Sequence, residues 1–121
     1  MTSEELSELA RVALDELKGI DIVALDVRPL TSLMDYMIIC TGRSTRHVKS
    51  LAEAVSTKAK SLSVKYVRIE GDRNNEWVLV DLADVVVHVM LAATRDFYSL
   101  EDLWEPVKEL RDARNNPQGT T

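Results

Sequence analysis

The sequence predicts a single α/β (α+β) domain in which one mixed sheet of about five strands packs with helices, in the order α-β-β-α-β-β-β-α. Two stretches carry apolar residues at helical spacing, and five short runs are rich in β-branched residues. A chain of 121 residues, 45% of them hydrophobic, has the size of one domain and can bury a core without disulfides or metals. Together these observations predict one helix-backed sheet.

The two long helices have recognisable start signals. Residues 2–5 have the form of a capping box, and Gly19 is predicted to end the helix that follows. Ser44 or Thr45 is the predicted N-cap of the second helix, which extends to about Leu62. The apolar stripe of this second helix consists of Val48, Leu51, Ala52, Val55, Ala59 and Leu62.

Five segments are predicted strands, namely residues 20–27, 36–41, 64–69, 77–82 and 85–90. The second segment is continuously apolar, which predicts an interior strand that is buried on both faces. Only two residues separate the last two segments, and this spacing predicts a hairpin.

The remaining connections are short. Residues 71–75 are a predicted turn because glycine and asparagine accept positive φ. Residues 91–98 are predicted to be helical, and Ser99 is predicted to begin a last short turn. The domain is expected to span residues 1–105, and the polar segment 106–121 is expected to be disordered.

Charge alternates in sign along the chain, whose formal net charge is −5. Residues 43–68 hold seven Lys/Arg and one acid, whereas residues 69–105 hold nine acids and two Lys/Arg. A protein that mainly grips phosphates carries an excess of basic residues, which this chain lacks. Its acidic part suits a basic protein partner. The alternative is that the acidity only keeps the domain soluble.

The sequence shows no targeting or membrane signal. Residues 1–8 lack the basic and apolar regions of a secretory signal and the Arg-rich character of a transit peptide. No apolar run approaches the roughly 18 residues that a membrane span needs. Cys40 is the single cysteine, which fits a reducing compartment. We therefore expect a cytoplasmic protein that does not associate with membranes.

A glycine turn and two carboxylates are the main candidates for chemistry. Residues 41–44 join a strand to a helix, where a glycine can cradle a phosphate. Glu70 and Asp72 lie two residues apart at a strand end, as in metal-dependent nucleotidyl transferases. One hypothesis is therefore a nucleotide-binding or nucleotidyltransferase enzyme that uses the Gly42 turn with both carboxylates. The alternative is a plain capped turn and a solvated hairpin tip.

The other reactive side chains form no recognisable site. His47, His88 and Cys40 lie in three different predicted elements and lack the spacing of metal ligands. No metal and no cofactor are therefore expected. Cys40 ends an apolar run, which predicts a buried and inert thiol.

The fourth predicted strand carries a candidate docking surface. Trp77, Leu79 and Asp81 share one face of it, and Val86 and His88 of the next strand are expected on the same side. An accessible tryptophan beside carboxylates is typical of a protein-binding hot spot. The alternative is that Trp77 packs beneath a helix.

Several motifs together resemble the ribosomal silencing factor family, also called Iojap-like. They are D-Y-M-I-I-C-T-G from Asp35, S-x-R-x-V from Ser44, E-G from Glu70, W-V-L-V-D-L-x-D-V-V-V-H from Trp77 and R-x-F-Y-x-L-E-x-L-W from Arg95. The resemblance extends over about residues 3–105. It implies a fold related to nucleotidyl transferases but without their catalytic carboxylates, and hence no enzymatic activity.

The resemblance also implies a partner and a mechanism. Members of the family bind uL14, a basic protein of the large ribosomal subunit, and block joining of the small subunit, which lowers translation when nutrients are scarce. A homodimer is a further state that the resemblance implies. The candidate uL14-binding residues are Trp77, Leu79, Asp81, His88, Glu70, Asp84 and Tyr98. A secondary contact to ribosomal RNA is expected from Arg43, Arg46 and Lys49.

Overall fold

The structure, a computed structural model, describes residues 1–71, 73–100 and 102. The element order is the predicted one. Asp72, Trp104 and the segment 106–121, on which sequence-based predictions also fall, lie outside the described residues. The helices are α1 (Ser3–Glu16), α2 (Thr45–Ser61) and α3 (Ala92–Tyr98). The strands are β1 (Ile20–Asp26), β2 (Tyr36–Gly42), β3 (Arg68–Gly71), β4 (Trp77–Asp81) and β5 (Val85–Leu91).

The described strands form one mixed sheet in the order β1-β2-β5-β4-β3. β2 and β5 run parallel, and the other neighbouring pairs run antiparallel. The predicted fold class is thereby confirmed. Residues 37–42 of β2 are buried, as the continuous apolar run predicts for an interior strand.

Two apolar clusters lie on opposite faces of this sheet. The larger cluster joins α1 and α2 to alternate residues of β2, β4 and β5. The smaller cluster, on the other face, consists of Val27, Met37, Ile39 and Met90, with Leu25, Met34, Trp77 and Leu100 packed against it. Among the described residues, two long helices cover the first face, and the short helix α3 with neighbouring loops covers part of the second. The second face of the sheet is therefore partly accessible to solvent.

The predicted start signals of both long helices are confirmed. The hydroxyl of Thr2 accepts from the backbone N–H of Glu5 at 3.1 Å, and the carboxylate of Glu5 accepts from the backbone N–H of Thr2 at 3.0 Å. At α2 the hydroxyl of Ser44 accepts from the backbone N–H of His47 at 3.1 Å. The N-cap is therefore Ser44 and not Thr45.

The end of α1 differs from the prediction. The helix ends at Glu16, and the left-handed residue after it is Lys18, at φ 60°. Gly19 has no positive φ. A Cβ at Gly19 would lie 2.5 Å from Sγ of Cys40, so the glycine is needed for close packing against β2.

The third strand begins later than predicted. The pattern predicts residues 64–69, whereas β3 is Arg68–Gly71. Val64 and Val67 pack against the larger apolar cluster, so their hydrophobicity reflects burial and not strand pairing. The turn after β3 is confirmed in part, because Asn75 has φ 54° but Gly71 is still in the strand without positive φ.

Candidate partner-docking site

Alternation along β4 decides which side chains reach the surface. Its two valines are buried in the larger apolar cluster, whereas Trp77, Leu79 and Asp81 lie on the opposite face and are half-buried. β4 and β5 form the predicted hairpin, in which Leu79 pairs with His88 and Asp81 with Val86. The shared face that the sequence predicts for these five residues is thus confirmed.

His88 contacts Trp77 on the same face of the sheet but is more deeply buried. The indole Nε1–H of Trp77 donates to Nδ1 of His88 at 3.0 Å. Only 8% of His88 is exposed, and this burial lowers its pKa to about 4. The imidazole is therefore neutral near pH 7, which keeps Nδ1 available as an acceptor. The burial leaves His88 little surface for the direct partner contact that was predicted, and its observed role is to hold Trp77.

Tyr98 holds Trp77 from the other side. The ring centroids of Trp77 and Tyr98 are 4.9 Å apart, with the planes tilted by 51°. Tyr98 is the last residue of α3 and remains exposed, as does its neighbour Phe97. The two alternatives predicted for Trp77 therefore both hold in part, because the indole packs against α3 and still reaches solvent.

A shallow, open cleft of about 360 Å³ lies beside these two aromatic rings. It is lined by Glu70, Gly71, Trp77, Leu79 and Tyr98. Glu70 reaches it from β3, since that residue is the register partner of Leu79. Of the seven predicted site residues, the structure brings Glu70, Trp77, Leu79 and Tyr98 together here.

The two remaining predicted residues lie farther along the hairpin. Asp81 is four residues from Trp77, roughly 13 Å along an extended strand. Its carboxylate accepts from the backbone N–H of Ala83 at 2.8 Å and so supports the hairpin turn, where Ala83 has φ 69°. Asp84 is exposed at the tip of the turn. These two carboxylates therefore lie at the edge of the candidate docking face and are not among the residues that line the cleft.

The glycine turn and the carboxylate of the nucleotidyltransferase hypothesis lie far apart. Glu70 pairs with Leu79, Leu79 with His88, and His88 with Ile39 of β2. Glu70 is therefore three strand spacings, roughly 14 Å, from β2, and Gly42 lies three residues beyond Ile39. The structure thus does not assemble these groups into one active site.

Another cavity, of about 740 Å³, lies at the carboxyl ends of the parallel strands β2 and β5. Arg95 on its wall is 8% exposed, and its Nη1 donates to the carbonyl oxygen of Asp21 at 2.7 Å and to Oγ1 of Thr41 at 2.9 Å. These bonds tie α3 to the ends of β1 and β2. Sequence reasoning missed this role because one arginine in a short helix carries no pattern.

The other groups considered for chemistry are structural. Cys40 is fully buried, as predicted, and burial raises the pKa of its thiol to about 11, which disfavours the reactive thiolate. His47 bridges two chain segments, because its Nδ1 accepts from the backbone N–H of Arg43 at 2.9 Å and its Nε2 lies 2.8 Å from the carbonyl oxygen of Leu17. Among the described residues no group of three His, Cys, Asp or Glu is placed to hold a metal ion. Each helix formed by the described residues falls short of the length or the apolar character that a membrane span requires.

The basic residues predicted to contact RNA lie at α2. Arg43, Arg46 and Lys49 are all exposed. Because α2 covers the larger apolar cluster, Arg46 and Lys49 lie on the opposite side of the sheet from the cleft. Arg43 precedes the helix and lines the 740 Å³ cavity together with residues of α3. The structure thus separates Arg46 and Lys49 from the carboxylates of the candidate docking face.

Known proteins resemble this chain over most of its length. The family model described as ribosomal silencing factor during starvation matches residues 1–120. A ribosomal silencing factor from Chromobacterium violaceum is 53% identical over 104 residues, which cover 86% of this chain and 85% of that protein. A mouse protein named mitochondrial assembly of ribosomal large subunit protein 1 is 38% identical over 87 residues, which cover 69% of this chain and 38% of that protein.

A solved structure agrees with the sequence comparisons. The crystal structure of a Chromobacterium violaceum protein superimposes with a TM-score of 0.84 at 52% identity, covering 87% of this chain and 88% of that one. The fold, the family model and the relatives all lead to the same assignment. The chain belongs to the ribosomal silencing factor family.

Proposed function

We propose that this protein represses translation under nutrient limitation by binding uL14 on the large ribosomal subunit and sterically blocking the joining of the small subunit. Its site of action is then the cytoplasm. The docking side is the Trp77 surface, which we define as Glu70, Trp77, Leu79, Asp81 and Tyr98. His88 supports this surface from below, and Asp84 extends its acidic edge.

The cleft beside Trp77 is the observation that carries this proposal. Trp77 and Tyr98 expose aromatic area while intramolecular contacts hold their rings, so docking would immobilise little that is mobile in the free protein. Glu70 and Asp81 place two carboxylates on the same face, where Arg68 pairs with Glu70, and Asp84 lies exposed at the nearby turn. A basic protein is the partner that such a surface attracts and orients.

The names of the relatives support the choice of subunit. The family is described as silencing factors, and the mouse relative is named for assembly of a ribosomal large subunit. The proposed mechanism requires only that a face of the large subunit be occupied, so it needs no bond-making chemistry and no cofactor. A non-catalytic role is therefore part of the proposal.

The basic residues at α2 support a secondary contact to ribosomal RNA. Arg43, Arg46 and Lys49 are exposed, and each contact to a phosphate would release counterions and make binding depend on salt.

A homodimer that buried the Trp77 surface would compete with docking. Binding should therefore be measured at protein concentrations at which analytical ultracentrifugation shows a monomer.

The direct test is binding of purified uL14 by isothermal titration calorimetry. Trp77→Ala should weaken binding by about 2 kcal/mol or more, roughly thirtyfold, because the change removes the central aromatic side chain. Leu33→Ala is the matched control, since Leu33 is 82% exposed and lies in the loop before β2. Circular dichroism establishes that both variants are folded. Equal affinities for wild type and Trp77→Ala would place the interface elsewhere.

A further inference from the structure

We infer that the 360 Å³ cleft beside Trp77 is a receptor for one arginine side chain of the basic partner. This inference rests on the proposed function and specifies the chemistry that its docking site recognises. The lining combines two aromatic rings, one aliphatic side chain and one carboxylate, namely Trp77, Tyr98, Leu79 and Glu70.

The aromatic rings of Trp77 and Tyr98 suit a cation. The Nε1–H of Trp77 already donates to His88, so the indole offers a ligand its π system and not its hydrogen-bond donor. Tyr98 lies 4.9 Å from Trp77 and adds a second ring to the same cleft. Cations bind favourably over such rings, and tryptophan is the strongest of the natural partners.

The carboxylate of Glu70 suits a guanidinium. Glu70 already forms an ion pair with Arg68, with 2.8 Å between Oε1 and Nη2, so its position suits a guanidinium. Both side chains are more than half exposed. Exposed pairs of this kind contribute little to stability, so an incoming guanidinium can replace Arg68 at small cost.

Arginine fits this lining better than lysine. A guanidinium is planar, so it can stack on an aromatic ring while its N–H groups reach a carboxylate at the ring edge. An ammonium is a compact and strongly hydrated charge, which gains less from the stacking surface. Leu79 is placed to contact the aliphatic stem of the same side chain.

NMR titration of the isolated protein tests the site with three small probes. These are N-acetyl-arginine amide, N-acetyl-lysine amide and N-acetyl-citrulline amide, the last being a neutral analogue of the first. The readout is the ¹H–¹⁵N signal of the Trp77 indole, assigned by its loss in Trp77→Phe. We expect a saturable shift with the arginine probe, weaker binding of the lysine probe and no binding of the citrulline probe. Equal binding of all three, or no saturable shift with arginine up to about 100 mM, would overturn the inference.

Two charge variants sharpen this test. Glu70→Gln should weaken binding of the arginine probe about tenfold by removing the charge at nearly constant shape. Glu53→Gln is the matched control, because Glu53 is exposed on α2 and should leave binding unchanged. Arg68→Gln should strengthen binding about twofold to fivefold, because it removes the internal competitor. A gain of affinity cannot arise from misfolding. Unchanged binding in both Glu70→Gln and Arg68→Gln would overturn the inference.

Titration of uL14 separates this inference from the proposed function. If the arginine probe binds as described but uL14 does not bind, the receptor stands and the proposed partner is wrong. If uL14 binds wild type and Glu70→Gln equally well, docking stands but the arginine receptor does not contribute to it, and the inference fails.

Discussion

Trp77 owes its orientation to two different neighbours. His88 accepts its indole N–H at 3.0 Å, and Tyr98 packs against its ring at 4.9 Å. The two-residue period of strands predicted that Trp77 and His88 share a face, but it did not predict their different depths. His88 is buried because β5 is the central strand, and strand order is not encoded in alternation.

The burial of His88 predicts that acid weakens the fold. Its pKa is about 4 in the folded protein, against 6.5 for an unperturbed histidine. Above pH 6.5 the ring is neutral in both states, so the contribution of His88 to stability is complete. As the pH falls from 6.5 to about 4, the unfolded state binds the proton first, and the free energy of unfolding decreases by up to about 3 kcal/mol.

Urea unfolding at pH 7 and at pH 4 measures this effect. His88→Asn provides the comparison, because asparagine has an acceptor oxygen for the indole N–H but no titrating ring. The variant should lose less stability than wild type between the two pH values. Equal losses would show that other groups cause the acid sensitivity.

At the scale of elements, the patterns that repeat along the chain were predicted well. The alternation of β4 and β5 predicted both faces of the hairpin, and the capping signals predicted both long helix starts. The predicted span of β3 was wrong, because Val64 and Val67 pack against the larger apolar cluster and do not belong to the strand. The predicted role of Gly19 was wrong. A glycine is needed there because a Cβ would collide with Cys40, and not because the backbone has a positive φ.

The candidate site divides in the same way. Trp77, Leu79 and Asp81 follow from one strand, so their common face was readable. The contribution of Glu70 depends on register across β3 and β4, which no local pattern fixes. The position of α3, and with it Tyr98, depends on bonds made by Arg95 to residues more than fifty positions away, which only the folded chain brings together.

Arg95 is expected to fix α3, and Arg95→Met tests this. The change should lower the free energy of unfolding by about 2–4 kcal/mol, because the carbonyl of Asp21 and the hydroxyl of Thr41 lose a charged donor. Hydrogen exchange should also accelerate more in α3 than in α1. Asp96→Asn is the control on the same helix, since Asp96 is exposed and should change stability by less than about 0.5 kcal/mol. Similar effects of the two variants would contradict the account of Arg95.

In the whole molecule, the sheet separates two carboxylates from two basic side chains, although Arg68 pairs with Glu70 on the side of the carboxylates. Glu70 and Asp81 lie on the face of the Trp77 surface, whereas Arg46 and Lys49 lie on α2, on the other side. The sequence predicted the signs of the two segments, because charge runs are visible in one dimension. It did not predict that Glu70 and Asp81 lie across the sheet from Arg46 and Lys49, because this depends on which face of the sheet each helix covers.

Sedimentation of purified large and small ribosomal subunits, at moderate salt and with or without the protein, tests whether the protein docks on the large subunit through the Trp77 surface. The protein should travel with the large subunit and reduce the peak of joined ribosomes. Trp77→Ala should do neither, whereas Leu33→Ala should behave as wild type. A protein that travels with neither subunit and leaves joining unchanged, or a Trp77→Ala variant as effective as wild type, would contradict docking through the Trp77 surface.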